Sequence, residues 1–318
     1  MHNFCHKTMK IIFIGGVRYS HSLLSHILDI GWNVEAIFSY DESKKKYYSD
    51  FICFEKLAKK FDITHILVDN INDKKNIEII KKINPDLILV MGWSQLLNSE
   101  IIKIPKIGTI GSHPTELPKY RGRAPIPWSI LKGLKQSALT FFYIQEGVDD
   151  GDILDQQKFE ISDEDDATSI YEKMIDLGKK MLERNLPLIE NGKQKRIKQN
   201  SSLYIESWPK RTPDDGIIDW SNSAKIIQLL IRATTRPYPG AFTYWNNKKL
   251  IIWRASTSNE TSFGHGIIMA INDKNIKIGT GNGCLIVDIN DLEFYDNKYT
   301  TETLSNISLG QIFKNKND

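Results

Sequence analysis

The sequence contains few cysteines, and none of them has the spacing of a structural site. Cys5, Cys53 and Cys284 are the three cysteines in 318 residues. An odd number without a Cys-x-x-Cys spacing disfavours both a disulfide framework and a zinc site. We therefore expect no metal and a chain that works in a reducing compartment, the cytoplasm.

Long hydrophobic runs are also missing. The opening residues, MHNFCHKT, have no apolar core, and the run from Ile11 to Ile14 is only as long as a strand. A secretory signal needs an apolar stretch of about 7–15 residues, and a membrane-spanning helix needs about 20. The sequence therefore predicts no signal peptide and no membrane partner. The start of the chain stays open between Met1 and Met9.

A strong charge of one sign is absent. The formal net charge is only +3, and residues 213–318 contain 11 Lys plus Arg against 11 Asp plus Glu. Affinity for nucleic acid comes largely from clustered cations that neutralise phosphates. The balance predicts that the C-terminal third does not clamp a nucleic acid, and the short run Lys44-Lys45-Lys46 is more typical of a solvated helix start.

The chain lacks the glycine fingerprint of a dinucleotide site. Gly15 and Gly16 end an apolar run, but no Gly-x-Gly-x-x-Gly follows it, which disfavours a nicotinamide cofactor. Two interpretations of this turn stay open. The amides at the helix start, with Gly16 and Arg18, could hold a phosphate or a carboxylate. Alternatively, the turn is a tight connection followed by a surface arginine.

What the sequence does contain is an alternation of strand and helix signals. The strand signals cover residues 9–16, 34–40, 65–68 and 87–90, and segments with helical spacing separate them. This alternation predicts an α/β fold, with a Rossmann-like parallel sheet covered by helices. A site in such a sheet lies beyond the carboxyl ends of the strands.

The composition changes after residue 190. Residues 191–200 are polar and basic, which predicts a linker, and helical spacing follows at 224–233. Five short strand signals come next, at 241–245, 250–255, 266–271, 275–279 and 284–292. We therefore predict an N-terminal domain over residues 9–205 and a C-terminal domain over residues 206–318, with a helix and a small β-barrel.

The densest group of reactive side chains lies between Gly108 and Asp152. A β-rich run from Ile107 to Ser112 leads to His113, and a second strand signal at 139–144 leads to the carboxylate-rich turn Val-Asp-Asp-Gly-Asp that contains Asp149. A histidine and an aspartate at the rim of one sheet would supply a titratable pair for proton transfer.

The residues around this pair resemble the folate-dependent formyltransferases. The pattern is His-Pro-x-x-Leu-Pro-x-Tyr-Arg-Gly-x-x-Pro from His113, followed by Val-Asp-x-Gly-Asp-Ile from Val148. That family includes methionyl-tRNA formyltransferase, glycinamide ribonucleotide formyltransferase and bacterial sugar N-formyltransferases. The resemblance extends from Met9 to Phe313. It implies transfer of a formyl group from 10-formyltetrahydrofolate to an amine, and an OB-like second domain.

The resemblance also implies roles for particular residues. His113 would polarise or protonate the reacting group, and Asp149 would orient the imidazole and transfer a proton. The candidates for the pterin pocket are Trp93, Gln95, Leu97, Ile144 and Val148. Our candidates for holding the acceptor substrate are Gly16, Arg18, Tyr19 and Arg121.

One position departs from the family pattern. The family has Asn-x-His, whereas this chain has Gly111-Ser112-His113, so the usual amide donor to the formyl oxygen is absent. Loss of one such donor costs about 2.7–4 kcal/mol of transition-state stabilisation. We expect His113, a backbone amide or an ordered water to replace it, and Gly111 to leave space for the replacement. Ser112 is less suitable because neighbouring strand side chains point to opposite faces.

The acceptor is predicted to be a sugar amine, on a nucleotide-linked sugar. Glycinamide ribonucleotide formyltransferase resembles only the first domain, and the neutral C-terminal third disfavours tRNA. The phrases SHPTELPKYRGRAPIPWSI and EGVDDGDILDQ are most similar to pseudaminic-acid-type N-formyltransferases of surface-glycan biosynthesis, and a homodimer is common among similar sugar enzymes. Methionyl-tRNA formyltransferase and a non-catalytic folate- or nucleotide-sugar-binding homologue stay open as alternatives.

Overall fold

The computed structural model of the protein describes residues 8–296 and 306–314. These residues form two compact units. One unit contains the described residues up to Pro125 together with Gln136–Glu160 and Tyr171–Pro209; the other contains Ile126–Lys135, Ile161–Ile170 and the described residues from Lys210 onward. Across the described ranges, no helix is both long and apolar enough to cross a membrane.

The strands of the first unit build one large sheet and one small pair. They are β1 Ile11–Ile14, β2 Val34–Tyr40, β3 Thr64–Val68, β4 Leu87–Val90, β5 Gly108–His113, β6 Tyr120–Gly122, β7 Gln136–Tyr143, β8 Ile153–Glu160 and β9 Glu206–Trp208. Among the described residues, the large sheet has the order β3-β2-β1-β4-β5-β7-β8, and β6 pairs with β9 in parallel.

Helices lie between most of the strands, as the alternation of strand and helix signals predicts. In chain order they are α1 Arg18–Asp29, α2 Glu55–Phe61, α3 Lys74–Ile83, α4 Ser99–Ile102, α5 Pro125–Leu131, α6 Ala167–Glu190 and α7 Ala224–Thr234. Helices such as α1 bury one apolar stripe, which includes Leu23, Leu24 and Ile27. Strands β1 and β4 are buried at every position, as expected for strands covered on both faces. The predicted α/β fold is confirmed.

The sheet is not parallel throughout. Strands β1 to β5 pair in parallel, but β7 runs antiparallel to β5, and β8 runs antiparallel to β7. The turn between β7 and β8 is too short for a crossover, so it can only reverse the chain. Because β7 is antiparallel to β5, Tyr143 at the end of β7 lies beside Ile110 and not beside His113. The following turn must fold back to reach the end of β5.

The second unit is rich in antiparallel strands. They are β10 Ala241–Trp245, β11 Lys248–Ile252, β12 Ser256–Ser258, β13 Ile268–Ile271, β14 Asn275–Gly279, β15 Cys284–Asp288 and β16 Leu292–Phe294. They form a sheet in the order β10-β11-β16 and a sheet in the order β12-β15-β14-β13. Their inner faces share a core with α7 that includes Trp220, Ile231, Leu250, Leu285 and Phe313.

The predicted β-rich C-terminal part is confirmed, but its strands are more numerous than the five expected. The predicted strand at 284–292 is divided because Asp288 accepts a hydrogen bond from the Asn290 amide and turns the chain. Strand β12 was not predicted because its sequence, Ser-Thr-Ser, has no apolar signal.

Candidate active site

His113 is the last residue of β5, and its side chain is only 7% exposed. Its Nε2 atom lies 3.0 Å from the carbonyl oxygen of Tyr120. Because a carbonyl oxygen can only accept, this hydrogen bond assigns a proton to Nε2. The second ring nitrogen, Nδ1, is therefore the atom that faces the turn after β7.

Asp149 faces this nitrogen across a gap. Its Oδ2 atom lies 3.6 Å from Nδ1 of His113, which is longer than a hydrogen bond, and it accepts the backbone N–H of Gly122 at 3.0 Å. The φ angle of Asp149 is +50°, in the left-handed region that few non-glycine residues adopt. The two side chains are thus close but not hydrogen-bonded to each other, so a third group can contact both His113 Nδ1 and Asp149 Oδ2.

The carbonyl that holds His113 is itself fixed by hydroxyl groups. Thr115 Oγ1 donates to the same Tyr120 oxygen at 2.5 Å. Thr140 Oγ1, from β7, donates in turn to the Thr115 carbonyl at 2.6 Å. The loop between His113 and Tyr120 is therefore tied to the neighbouring strand, and the orientation of the imidazole is set before any ligand binds.

The space beside Gly111 is filled by Ile144. A Cβ atom on Gly111 would lie 3.0 Å from both Cγ1 and Cδ1 of Ile144 and 3.4 Å from the Phe142 ring. The expectation that Gly111 leaves space for a replacement donor is therefore wrong. The surroundings of this buried glycine are apolar, and Ile144 occupies the place that an asparagine side chain would need.

Three of the predicted pterin residues pack together. Trp93, Leu97 and Ile144 are partly buried against one hydrophobic cluster built on β1, β2 and β4. The Trp93 ring stacks on Tyr40, with centroids 3.9 Å apart. Within the described part of the chain, the buried indole N–H of Trp93 has no hydrogen-bond partner. These residues could form an apolar wall with one unsatisfied donor.

The other two predicted pterin residues lie differently. Gln95 uses both ends of its amide on the protein: Nε2 donates to the Asp69 carbonyl at 2.8 Å, and Oε1 accepts the Ile71 N–H at 3.0 Å. Val148 is 49% exposed, in the turn next to Asp149. The structure thus gives Gln95 a role in holding the 69–71 turn and leaves Val148 open to solvent.

Family models match both parts of the chain. The model described as formyl transferase matches residues 9–186, and the model described as formyl transferase, C-terminal domain, matches residues 210–301. The chain belongs to the formyl transferase family. The resemblance drawn from the motifs around His113 and Asp149 is therefore confirmed.

The formyltransferase has relatives with different functions. It is 34% identical to the bifunctional polymyxin resistance protein ArnA of Wigglesworthia glossinidia brevipalpis over 266 residues, which cover 83% of this chain and only 40% of that protein. It is 28% identical to methionyl-tRNA formyltransferase of Geobacter sulfurreducens over 303 residues, 95% of each chain. An N-formyltransferase structure from Helicobacter canadensis, in complex with folinic acid and dTDP-3-aminofucose, covers 91% of this chain and 100% of that chain, with a TM-score of 0.64 at 20% identity.

Three backbone amides at the start of α1 in this formyltransferase have partners. Those of Gly16 and Val17 donate to Ser20 Oγ at 3.1 and 2.9 Å, and that of Arg18 donates to the Asp50 carbonyl at 2.9 Å. They are therefore not free for an anion, as the first interpretation of the glycine turn required. The second interpretation describes Gly16 better, since a Cβ there would lie 2.3 Å from the Tyr40 ring.

Tyr19 and Arg18 differ in their access to solvent. Tyr19 is 3% exposed, and burial raises the pKa of its phenol; it packs in the interior and does not present its ring to an acceptor, which corrects the expectation. The Arg18 side chain is 39% exposed, donates to Glu172 at 2.5 Å and lies over the Tyr171 ring. Arg18 therefore keeps an accessible cation.

Arg121 directly follows Tyr120, whose carbonyl oxygen lies 3.0 Å from His113 Nε2. Its Nη2 donates to Oε1 of Gln199 at 2.8 Å, and its guanidinium lies 5.7 Å from the ring centroid of Tyr204. The Nε atom is buried and, among the described residues, has no hydrogen-bond partner. An unsatisfied buried donor is uncommon and fits an anionic ligand.

Sequence reasoning missed the groups that hold the pair in place. The Tyr120 carbonyl and the Gly122 amide are backbone atoms, which leave no signal in residue type. Gln199 lies in a stretch whose composition predicted only a linker. Within the described residues, no cluster of three or more His, Cys, Asp or Glu side chains is placed to hold a metal ion.

Proposed function

We propose that this formyltransferase moves a formyl group from 10-formyltetrahydrofolate to an amino group of a nucleotide-linked sugar. The observation that carries the proposal is the pair of His113 and Asp149, whose facing atoms are 3.6 Å apart in a largely buried site. The Helicobacter canadensis N-formyltransferase, which was solved with folinic acid and dTDP-3-aminofucose, shares this fold and supports both the donor and the acceptor class.

The residues around β4 fit a pterin. The buried N–H of Trp93 has no partner within the described residues, and a pterin carbonyl or ring nitrogen would satisfy it. Leu97 and Ile144 supply apolar contacts beside it. When bound, 10-formyltetrahydrofolate supplies the formyl carbon and a nitrogen leaving group. We assign catalysis to the domain predicted over residues 9–205, in which all these residues lie.

The reaction requires one proton to change place. The acceptor amine attacks the formyl carbon, the bond from that carbon to the folate nitrogen breaks, and the proton lost by the amine is balanced by one gained at the leaving nitrogen. We assign acceptance of the amine proton to Asp149. We assign stabilisation of the charge on the formyl oxygen to His113 in its imidazolium form, in which Nδ1 also carries a proton and can donate, because Nε2 already donates to the Tyr120 carbonyl and Gly111 carries no donor.

The narrower acceptor in this proposal is an amino-bearing nonulosonic acid of the pseudaminic type, linked to a nucleotide and used for surface glycans. Arg18 and Arg121 are the cations that would hold its carboxylate or phosphate. The Nε atom of Arg121, which has no hydrogen-bond partner in the part of the chain that the structure describes, supports this assignment. We place the reaction in the cytoplasm, consistent with the free thiols of Cys53 and Cys284, and we propose that the enzyme acts as a homodimer.

A second candidate acceptor is the amino group of methionyl-tRNA. The observation that favours it is the end-to-end similarity to methionyl-tRNA formyltransferase of Geobacter sulfurreducens, which covers 95% of both chains. The neutral balance of 11 cations and 11 anions in residues 213–318 makes the sugar acceptor our first choice, because tRNA binding needs an excess of cations.

The proposal is tested by offering 10-formyltetrahydrofolate with a panel of acceptors: dTDP- and UDP-linked amino sugars, a CMP-linked amino nonulosonic acid and charged initiator tRNA. We expect formylation of a sugar amine, seen by mass, which is lost in His113→Ala and kept in Asp150→Asn, a change of an exposed carboxylate in the same turn. Formylation of tRNA alone would replace the sugar proposal with the second candidate. Folate binding without any turnover would instead favour a non-catalytic homologue.

A further inference from the structure

Gln199 is a buried side chain in an otherwise exposed segment. It is 8% exposed, whereas Ile197, Lys198 and Asn200 are exposed. The two family models end at residue 186 and begin at residue 210, so Gln199 lies between them. Its composition-based assignment to a linker does not explain why an uncharged polar side chain is buried there.

Both ends of the Gln199 side-chain amide form hydrogen bonds, and its nitrogen contacts the turn of residues 144–152 that contains Asp149, which we call the catalytic turn. Its Nε2 atom donates to the carbonyl oxygens of Asp149 and Gly151, each at 2.8 Å. Its Oε1 atom accepts from Nη2 of Arg121 at 2.8 Å. Because both carbonyls can only accept and the guanidinium can only donate, these three contacts fix which end of the amide is nitrogen. The side chain therefore has one orientation.

The carbonyls of Asp149 and Gly151 belong to the turn that holds Asp149 in an uncommon backbone conformation. Its peptide is held in the left-handed region, at φ +50°, and residue 151 must be glycine because a Cβ there would lie 1.7 Å from the Tyr143 carbonyl. A turn built in this way directs the Asp149 carboxylate toward Gly122 and His113. The two hydrogen bonds from Gln199 hold two carbonyl groups of this turn, and we expect the turn to relax without them.

The neighbours of Gln199 hold it at the required depth. Ile197 exchanges two backbone hydrogen bonds with Ile153, at 2.7 and 2.9 Å. The guanidinium of Arg196 lies 3.8 Å from the centroid of the Tyr143 ring. Both contacts attach the segment to the strands on either side of the catalytic turn, so the position of Gln199 follows from the strands and not from the turn itself.

We propose that Gln199 is a positioning residue for formyl transfer, which acts through Asp149. It holds the peptide of Asp149 and, at its other end, Arg121, whose chain neighbour Gly122 donates to the Asp149 carboxylate. One side chain thus ties the carboxylate and the acceptor-binding arginine to each other. The inference rests on the proposed function, in which Asp149 accepts the proton of the acceptor amine.

The test compares Gln199→Met, which keeps the length and removes all three hydrogen bonds, with Gln199→Glu, which keeps an acceptor for Arg121 and loses the donors. Lys198→Met is the matched control on the exposed neighbour. With whichever acceptor the wild-type enzyme uses, we expect kcat to fall about 10- to 100-fold in Gln199→Met, with KM for 10-formyltetrahydrofolate unchanged and Lys198→Met near the wild type. In an Asp149→Asn background, Gln199→Met should cause no further loss.

A second measurement does not depend on turnover. Amide hydrogen exchange of peptides that cover residues 147–152 should be faster in Gln199→Met and in Gln199→Glu than in Lys198→Met, with the core strands unchanged. The proposal is overturned by unchanged exchange at 147–152, by an equal loss of kcat in the Asp149→Asn background, or by a change confined to KM. If the wild-type enzyme formylates no acceptor, the proposed function fails, and the exchange measurement still decides the role of Gln199.

Discussion

Ile144 lies directly against Gly111, with two of its side-chain carbons 3.0 Å from the point where a Cβ would stand. Gly111 lies in β5 and Ile144 follows β7. The Ile144 side chain fills the volume that an asparagine at position 111 would take in the pattern Asn-x-His. An apolar contact therefore stands where the family pattern has an amide donor. Charge on the formyl oxygen must be stabilised from elsewhere, and His113 is the polar side chain at the end of the same strand.

Gly111→Asn should therefore damage the enzyme and not improve it. The new side chain overpacks a buried site, which typically costs about 1–3 kcal/mol of the free energy of unfolding. We expect a lower melting temperature and no gain in kcat. Thermal unfolding and initial rates check both. Gly111→Ala is the matched control, because its Cβ requires only a small shift of Ile144 and should have a smaller effect.

The same pair supplies a rescue experiment. Ile144→Ala removes the atoms that meet the new side chain, so Gly111→Asn combined with Ile144→Ala should be more stable than the sum of the two single changes predicts. A single Gly111→Asn variant with strongly raised kcat and unchanged melting temperature would show that the site is not adapted to glycine.

The two adjacent aspartates in the catalytic turn should differ sharply in effect. Asp149→Asn removes the proposed proton acceptor, and loss of general-base catalysis lowers kcat by about 10²- to 10⁴-fold. Asp150 is exposed, so Asp150→Asn should keep kcat near the wild-type value. Steady-state kinetics on the accepted amine measure both. Equal losses of kcat in the two variants would mean that the turn tolerates no change at either position, and they would contradict the role of Asp149 as the proton acceptor.

Arg121 should affect the acceptor and not the folate. Arg121→Met removes a cation whose Nε has no partner among the described residues, and a hydrogen bond to a charged group contributes about 1.5–3 kcal/mol. We expect KM for the acceptor to rise about 10-fold or more while KM for 10-formyltetrahydrofolate stays constant. The control is Arg123→Met, which changes an exposed side chain two residues away. A rise in the folate KM instead would place Arg121 at the donor site.

Asp50 should make stability depend on pH in an unusual direction. Burial raises the pKa of its carboxyl, and the hydrogen bond from the Tyr171 hydroxyl and the charge of Arg18 offset this only in part. A folded pKa above the unfolded value means that the folded state binds the proton more tightly. The contribution of Asp50 to stability is therefore fully present below its unfolded pKa and is lost as pH rises through the folded pKa.

Asp50→Asn removes this dependence. The difference in the free energy of unfolding between Asp50→Asn and the wild type should shift in favour of the variant as pH rises from 4 to 8, measured by urea unfolding. Asp41 is the control of opposite sign, since the hydrogen bond from the backbone amide of Ser43 holds the pKa of that carboxyl below its usual value. A difference that does not change with pH would show that Asp50 titrates alike in the folded and unfolded chain.

Much of the fold follows from local patterns. The apolar run at 9–16 and the run at 87–90 predicted β1 and β4, because a strand buried on both faces needs only continuous apolar residues. The orientation of β7 could not be predicted in this way. Its residues are equally suited to a parallel and an antiparallel neighbour, and its direction against β5 depends on how residues 114–135 connect the two strands.

The candidate site shows the same division. The sequence by itself determined the family and supplied the candidate pair, because His113 and Asp149 stand in contiguous motifs whose residue types carry the signal. Only the tertiary structure decided that Tyr19 is buried, that Ser20 takes the amides of Gly16 and Val17, and that Ile144 fills the space at Gly111. Gln199 and Asp149 are 50 residues apart in the sequence. Local periodicity cannot predict which distant backbone groups a buried side chain contacts.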